Sequence, residues 1–221
     1  MPATYNALAK GGEPLRYYIE SDGRVFLVER EGLLDLPVPG EVLFPIEPVA
    51  PLVGDDVWYC VPMLDRHPHA WYDKDELPTA PTVSPQVRSA VHATMPRIVV
   101  EGLCTRKERI LLVKGNRGLT EGRWTLPGGF LRFGETPEAC VLREIEEEVG
   151  VTGTITAFVG VRSKLGTRSR LHWTLLFYRV AIEGTPQPNP DEIAEARFVS
   201  PAQAEEMLFD ETMGSILREL A

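Results

Sequence analysis

Gly129-Phe130-Leu131-Arg132-Phe133-Gly134-Glu135 and, seven residues later, Arg143-Glu144-Ile145-Glu146-Glu147-Glu148-Val149-Gly150-Val151 form the stretch from which the rest of this chain is read. The second half reads as a helix. Thr136 is suited to its N-cap, Pro137 to its first position and Gly150 to the left-handed residue that closes it. At about 100° per residue, Glu144, Glu147 and Glu148 cluster on one face. Leu142, Ile145 and Val149 cluster on the opposite side, and Glu146 falls away from the three acids. Packing does not require carboxylates at i, i+3 and i+4, where like charges cost about 0.3 kcal/mol per pair. A hard divalent cation removes that cost, because Mg²⁺ or Mn²⁺ prefers carboxylate oxygens and keeps waters for phosphate groups. A charge run alone is more often a solvated face. The glycine loop and Arg143 at set distances distinguish this one.

The pattern is G, five residues, E, seven residues, then R-E-U-x-E-E-x-G-U, with U a bulky aliphatic. It resembles the signature of the Nudix hydrolases at every defined position. Seven positions demand a single residue type, so chance coincidence is about one in a billion per start site. The resemblance covers residues 96–221. It implies an α+β domain, the Nudix α/β/α sandwich, and metal-dependent hydrolysis of a pyrophosphate bond. In the family, a loop such as Leu126-Pro127-Gly128-Gly129-Phe130 leads into the catalytic helix, and a carbonyl from Gly128 or Gly129 joins the metal shell; Gly128 is assigned here. By the same resemblance, Glu144, Glu147 and Glu148 hold Mg²⁺ or Mn²⁺, Arg143 positions them and Glu135 braces the loop. Glu147 or Glu148 activates water. Some relatives add a carboxylate from a late loop, and Glu192 is the candidate.

Leu126–Phe130 and the late segment Asp191–Val199 look like the ADP-ribose pyrophosphatase branch. The expected substrate is therefore a nucleoside diphosphate linked to another group, with a nucleoside triphosphate, including an oxidised one, as the alternative. The proline often found about fifteen residues after the box in that branch is absent here, where Gly166 and Thr167 stand. The four-cysteine zinc ribbon of the NADH pyrophosphatase branch cannot be built from three cysteines. A non-catalytic ligand sensor is the reading from a different class; the complete box favours catalysis, and no basic helix-turn-helix stands at either end.

The remaining sequence sets the context. A chain of 221 residues with net charge −9 gives no encouragement to nucleic-acid binding. Cys60, Cys104 and Cys140 show no paired metal-ligand spacing and suit a reducing compartment. Neither a leader-like opening nor a membrane-length apolar run is visible. A cytoplasmic protein with a small-molecule nucleotide substrate, and no membrane or nucleic-acid partner, is expected.

Thirteen of the nineteen prolines lie in residues 1–96, so residues 1–95 read as a β-rich module with a connector helix. Strands are predicted at Arg16–Glu20, Arg24–Glu29, Val42–Phe44 and Val57–Val61, and a helix from Ser84-Pro85 to Met95. The hairpin's edges suggest a homodimer. Residues 96–221 are the expected catalytic domain. Arg162, Lys164, Arg168 and Arg170 form a basic turn, from which Arg162, Arg168 and Arg170 are candidate phosphate or ribose contacts. His67-Pro68-His69 reads as a surface turn, and Trp58, Trp71 and Trp124 as packing aromatics.

Overall fold

The computed structural model describes residues 15–52, 56–166 and 170–219. The chain divides into two compact units, residues 1–96 with 165–172, and residues 97–164 with 173–221.

In the first unit, β1 (Arg16–Ser21) and β2 (Arg24–Phe26) form an antiparallel hairpin. Asp22 and Gly23 both take positive φ, which matches a tight turn to the strand twist. β3 (Val28–Arg30) leaves this sheet to pair with β4 (Leu33–Asp35). The single strand expected over Arg24–Glu29 is therefore two, with different partners. Val42–Phe44 is not a strand. Val42 and Phe44 pack against the core as side chains, and the strand begins beyond Pro45 as β5 (Ile46–Pro51), paired with β6 (Val57–Pro62).

With β7 (Tyr72–Asp73), the sheet runs β5-β6-β1-β2-β7. Both hairpin strands thus have neighbours on each side, and the free edges expected for pairing with a second chain are occupied. The edges are β5 and the two-residue β7, and β5 carries Pro48 and Pro51, which lack the N–H needed to extend a ladder. One sheet face packs Tyr18, Val25 and Val57 against Val87, Ala90 and Val91 of α1 (Pro85–Thr94). On Tyr17, Ile19 and Cys60 lie Phe26, Phe44, Trp58 and Trp71, so these tryptophans close a core.

The second unit contains β8 (Arg97–Arg106), β9 (Arg109–Gly115), β10 (Trp124–Thr125), β11 (Gly128–Phe130), α2 (Pro137–Val149), β12 (Gly153–Leu165), β13 (His172–Ile182), β14 (Ile193–Val199), α3 (Pro201–Met207) and α4 (Glu211–Glu219). Its sheet follows β10-β9-β8-β13-β12, with β11 on β8 and β14 on β9. The central strands β8, β9 and β13 bury apolar residues on both sides, as a sheet covered twice must. Val100, Cys104, Leu111, Val113 and Val180 pack with Val141, Ile145 and Val149 of α2. From the same strands, Leu103, Ile110, Leu112, Leu175 and Phe177 pack instead with Ala204, Met213, Ile216 and Leu217 of α3 and α4. This alternation produces an α/β/α sandwich within an α+β chain.

Candidate active site

The site begins with the ends of α2. Thr136 Oγ1 accepts from the Ala139 N–H at 3.2 Å. Gly150 takes φ 62° and donates its N–H to the Glu146 carbonyl. Between these caps the acidic and apolar faces adjoin rather than oppose. Glu148 lies about 60° around the helix from Ile145, and it is 8% exposed, beside fully buried Ile145 and Val149. Glu144 is half-buried, and Glu147 is exposed.

The glycine loop is drawn against β8. Gly128 pairs with Glu101, Gly129 with Val100. Gly102 donates to Pro127 O and Leu131 to Ile98 O, so ladder bonds fall on alternate residues. The Gly128 N–H goes instead to Glu148 Oε2, at 3.0 Å. Neither glycine has room for a side chain: a Cβ on Gly128 would lie 2.2 Å from the Val100 carbonyl oxygen, and one on Gly129 would lie 2.5 Å from the Glu144 carboxyl.

Arg143 gathers the acids. Its guanidinium grips Glu135 with Nε to Oε1 at 2.6 Å and Nη2 to Oε2 at 3.0 Å, a two-pronged pair. Nη1 reaches Glu144 at 2.6 Å and Glu147 at 2.9 Å. Arg132 also holds Glu147, at 3.2 Å. Arg143, aided by the Arg132 N–H, keeps the Glu135 carboxyl down at about 2. Burial pushes the Glu148 carboxyl up to about 8, opposed by the Gly128 N–H and reinforced by the charges of Glu144, Glu192 and Glu147. Burial likewise raises Glu144. Cys140 is fully buried, and its thiol is pushed up to about 12 by burial, which makes it a packing residue.

Sequence reasoning missed Glu101. This residue is 4% exposed, and among the described residues its Oε2 has no hydrogen-bond partner. Burial, followed by the charge of Glu148, holds its carboxyl well above the usual range. The available signal was a lone acid inside the apolar run Ile98-Val99-Val100-Glu101-Gly102-Leu103-Cys104, where a charge is costly without a partner. Arg132 was also missed as a holder of Glu147.

Other candidates fall in several places. Glu192 pairs with Arg117, and its charge acts on Glu148. Arg162 pairs with Glu219 of α4, and the geometry does not bring it into the carboxylate group. Lys164 pairs with Asp210. Arg170 lines a cavity of about 230 Å³ in the first unit, with Glu20, Tyr59, Lys74 and His172. Arg168 lies outside the described residues. His67 meets Asp22 at 3.5 Å.

Among the described residues, no three His, Cys, Asp or Glu side chains already surround a point able to hold a cation. Arginines occupy Glu144 and Glu147. The donor chemistry nevertheless fits a hard divalent ion: the buried donors are carboxylates, and Glu101 Oε2 lacks a partner among the described residues.

A NUDIX domain model matches residues 95–220. The chain belongs to the Nudix family. As a Nudix hydrolase it is 31% identical to an ADP-ribose pyrophosphatase of Methanocaldococcus jannaschii over 115 residues, which cover 52% of this chain and 68% of that protein. It is 32% identical to the NAD-capped RNA hydrolase NudC of Pseudomonas aeruginosa over 105 residues, 48% of this chain but only 36% of the relative. The crystal structure of a MutT NUDIX hydrolase from Burkholderia pseudomallei superposes with a TM-score of 0.51 at 27% identity, covering 57% of this chain and 99% of that one. Among the described residues, no helix is long and apolar enough to cross a membrane.

Proposed function

We propose that this Nudix hydrolase is a divalent-cation-dependent pyrophosphohydrolase acting on a nucleoside diphosphate linked to a second moiety, with ADP-ribose as the model substrate. The observation that carries the reading is the set of carboxylates drawn together at the glycine loop, with Glu148 bound to Gly128 and Glu144 against Gly129. The name of the Methanocaldococcus jannaschii relative supports the substrate class. Glu144, Glu147, Glu148 and the Gly128 carbonyl would hold Mg²⁺ or Mn²⁺, which when bound neutralises diphosphate charge and acidifies water.

The chain's own residues prepare the rest. Arg143, anchored by Glu135, sets the directions of Glu144 and Glu147. Glu147, the carboxylate open to solvent, accepts the proton of the water that attacks phosphorus. Arg132 and Arg143, which pair with Glu147 and Glu144, would share these carboxylates with a bound cation. The P–O bond of the anhydride breaks, leaving two phosphorylated fragments.

The test is hydrolysis of a panel comprising ADP-ribose, NADH, dinucleoside polyphosphates and nucleoside triphosphates, in ¹⁸O-water with and without a chelator. One heavy oxygen on a phosphate product, preference for ADP-ribose and loss of turnover with chelator are expected. Turnover that persists in chelator, or label on a sugar carbon, overturns the chemistry. Preference for triphosphates overturns the substrate class.

We also propose that residues 1–95 and 96–221 act as an association module and a catalytic domain, and that the chain forms a homodimer. With the hairpin edges occupied, the support for association is the exposed apolar side chains Leu43, Val49, Val61 and Met63. A cytoplasmic location is supported by three free, buried cysteines.

A further inference from the structure

Glu101 lies outside the signature, in the middle of β8, yet strand pairing delivers it to Gly128. Its Oε2 lies 3.0 Å from where a Cβ on Gly128 would stand. The same glycine donates its N–H to Glu148 Oε2, so two buried carboxylates flank one residue. The charges that act on Glu101 are those of Glu148, Lys164 and Glu144. Lys164, the cation among them, is paired with Asp210, and among the described residues Glu101 Oε2 has no hydrogen-bond partner. A carboxylate removed from water needs a counter-charge or donors to offset its lost hydration. Within this group, a divalent cation would supply that counter-charge to Glu101 and Glu148 together.

We propose that Glu101 is a further carboxylate of the cation site, contributed by β8 beside the acids of α2. The proposal rests on the cation-dependent reading above. It also gives Gly128 a second reason to be glycine, since any side chain there would meet the Glu101 carboxylate as well as the Val100 carbonyl.

Mn²⁺ binding to the full chain, followed by the electron paramagnetic resonance of free Mn²⁺, tests this in the absence of substrate. Wild type, Glu101→Gln, Glu148→Gln and the exposed control Glu146→Gln are compared, with melting temperatures taken without and with Mn²⁺. Glu148→Gln is expected to lose binding and Glu146→Gln to retain it. Glu101→Gln is expected to bind at least tenfold more weakly, to melt no lower than wild type without metal, and to gain less on Mn²⁺ addition. If wild type fails to bind, or Glu148→Gln binds normally, the cation reading itself fails. If Glu148→Gln weakens binding while Glu101→Gln binds as wild type, only the present inference is overturned. A Glu101→Gln chain that does not fold also overturns it, because the carboxylate then has a structural task.

Discussion

Glu147→Gln keeps the shape of the side chain and removes the charge gripped by Arg132 and Arg143. Its kcat is expected to fall by about 10² or more, with a melting temperature no lower than wild type, because the residue is exposed and its acidic neighbours are relieved. Near-normal turnover in saturating Mg²⁺ would remove Glu147 from the mechanism. The two glycines separate fold from function in another way. At Gly128 the obstacle to a Cβ is the Val100 backbone, whereas at Gly129 it is the Glu144 side chain. Gly128→Ala should therefore cost about 2–3 kcal/mol in chemical denaturation. Gly129→Ala should cost less than Gly128→Ala while still losing most activity, as it displaces Glu144. Equal destabilisation by both would contradict this division.

Elements depend on their ends. Thr136→Ala deletes the bond to the Ala139 N–H and should cost about 1 kcal/mol of stability. Gly150→Ala, at φ 62°, should cost about 1–2 kcal/mol; urea melts that leave both variants unchanged would contradict the cap assignments. In the first unit, Asp35 of β4 accepts from Arg16 at 2.7 Å and from Ser84, the N-cap of α1, at 2.7 Å. Burial alone would raise the Asp35 carboxyl, but Ser84, Leu36, Arg16 and Arg30 outweigh it and hold it below its ordinary 3.8. A folded-state pKa below the unfolded one favours the native state when the group is ionised. That stability is complete above about pH 5 and is lost as pH falls through the folded value. Wild-type melting temperature should thus fall more steeply than that of Asp35→Asn between pH 6 and pH 3. Parallel curves would show that Asp35 carries none of the acid sensitivity.

At the scale of the molecule, the proposed homodimer makes its own prediction. Light scattering of the full chain should give twice the 24.6 kDa chain mass. The double variant Val61→Glu, Met63→Glu, which puts charge on two exposed apolar positions of the first unit, should give a monomer with its melting temperature nearly unchanged. A wild-type monomer would end the dimer proposal.

Helix α2 was legible residue by residue. Caps, helical period and the spacing from Gly129 to Gly150 are local, and backbone preferences and 3.6-residue geometry act over a turn or two. The sandwich was legible at one remove, through the resemblance that this spacing carries. Local signals could not show that Arg24–Glu29 would split between two sheets, or that the β1–β2 hairpin would be interior. They could not show that Arg162 would be taken by Glu219 or that Glu148 would be buried. They marked Glu101 only as a lone acid in an apolar run and could not place it at the glycine loop, because it reaches Gly128 through the pairing of β8 with β11. By itself, then, the sequence determined the helix, its acids and the family chemistry those acids imply. Which carboxylates lose their water was decided only by the tertiary structure, because desolvation depends on what distant strands pack over a side chain, and no residue carries that information alone.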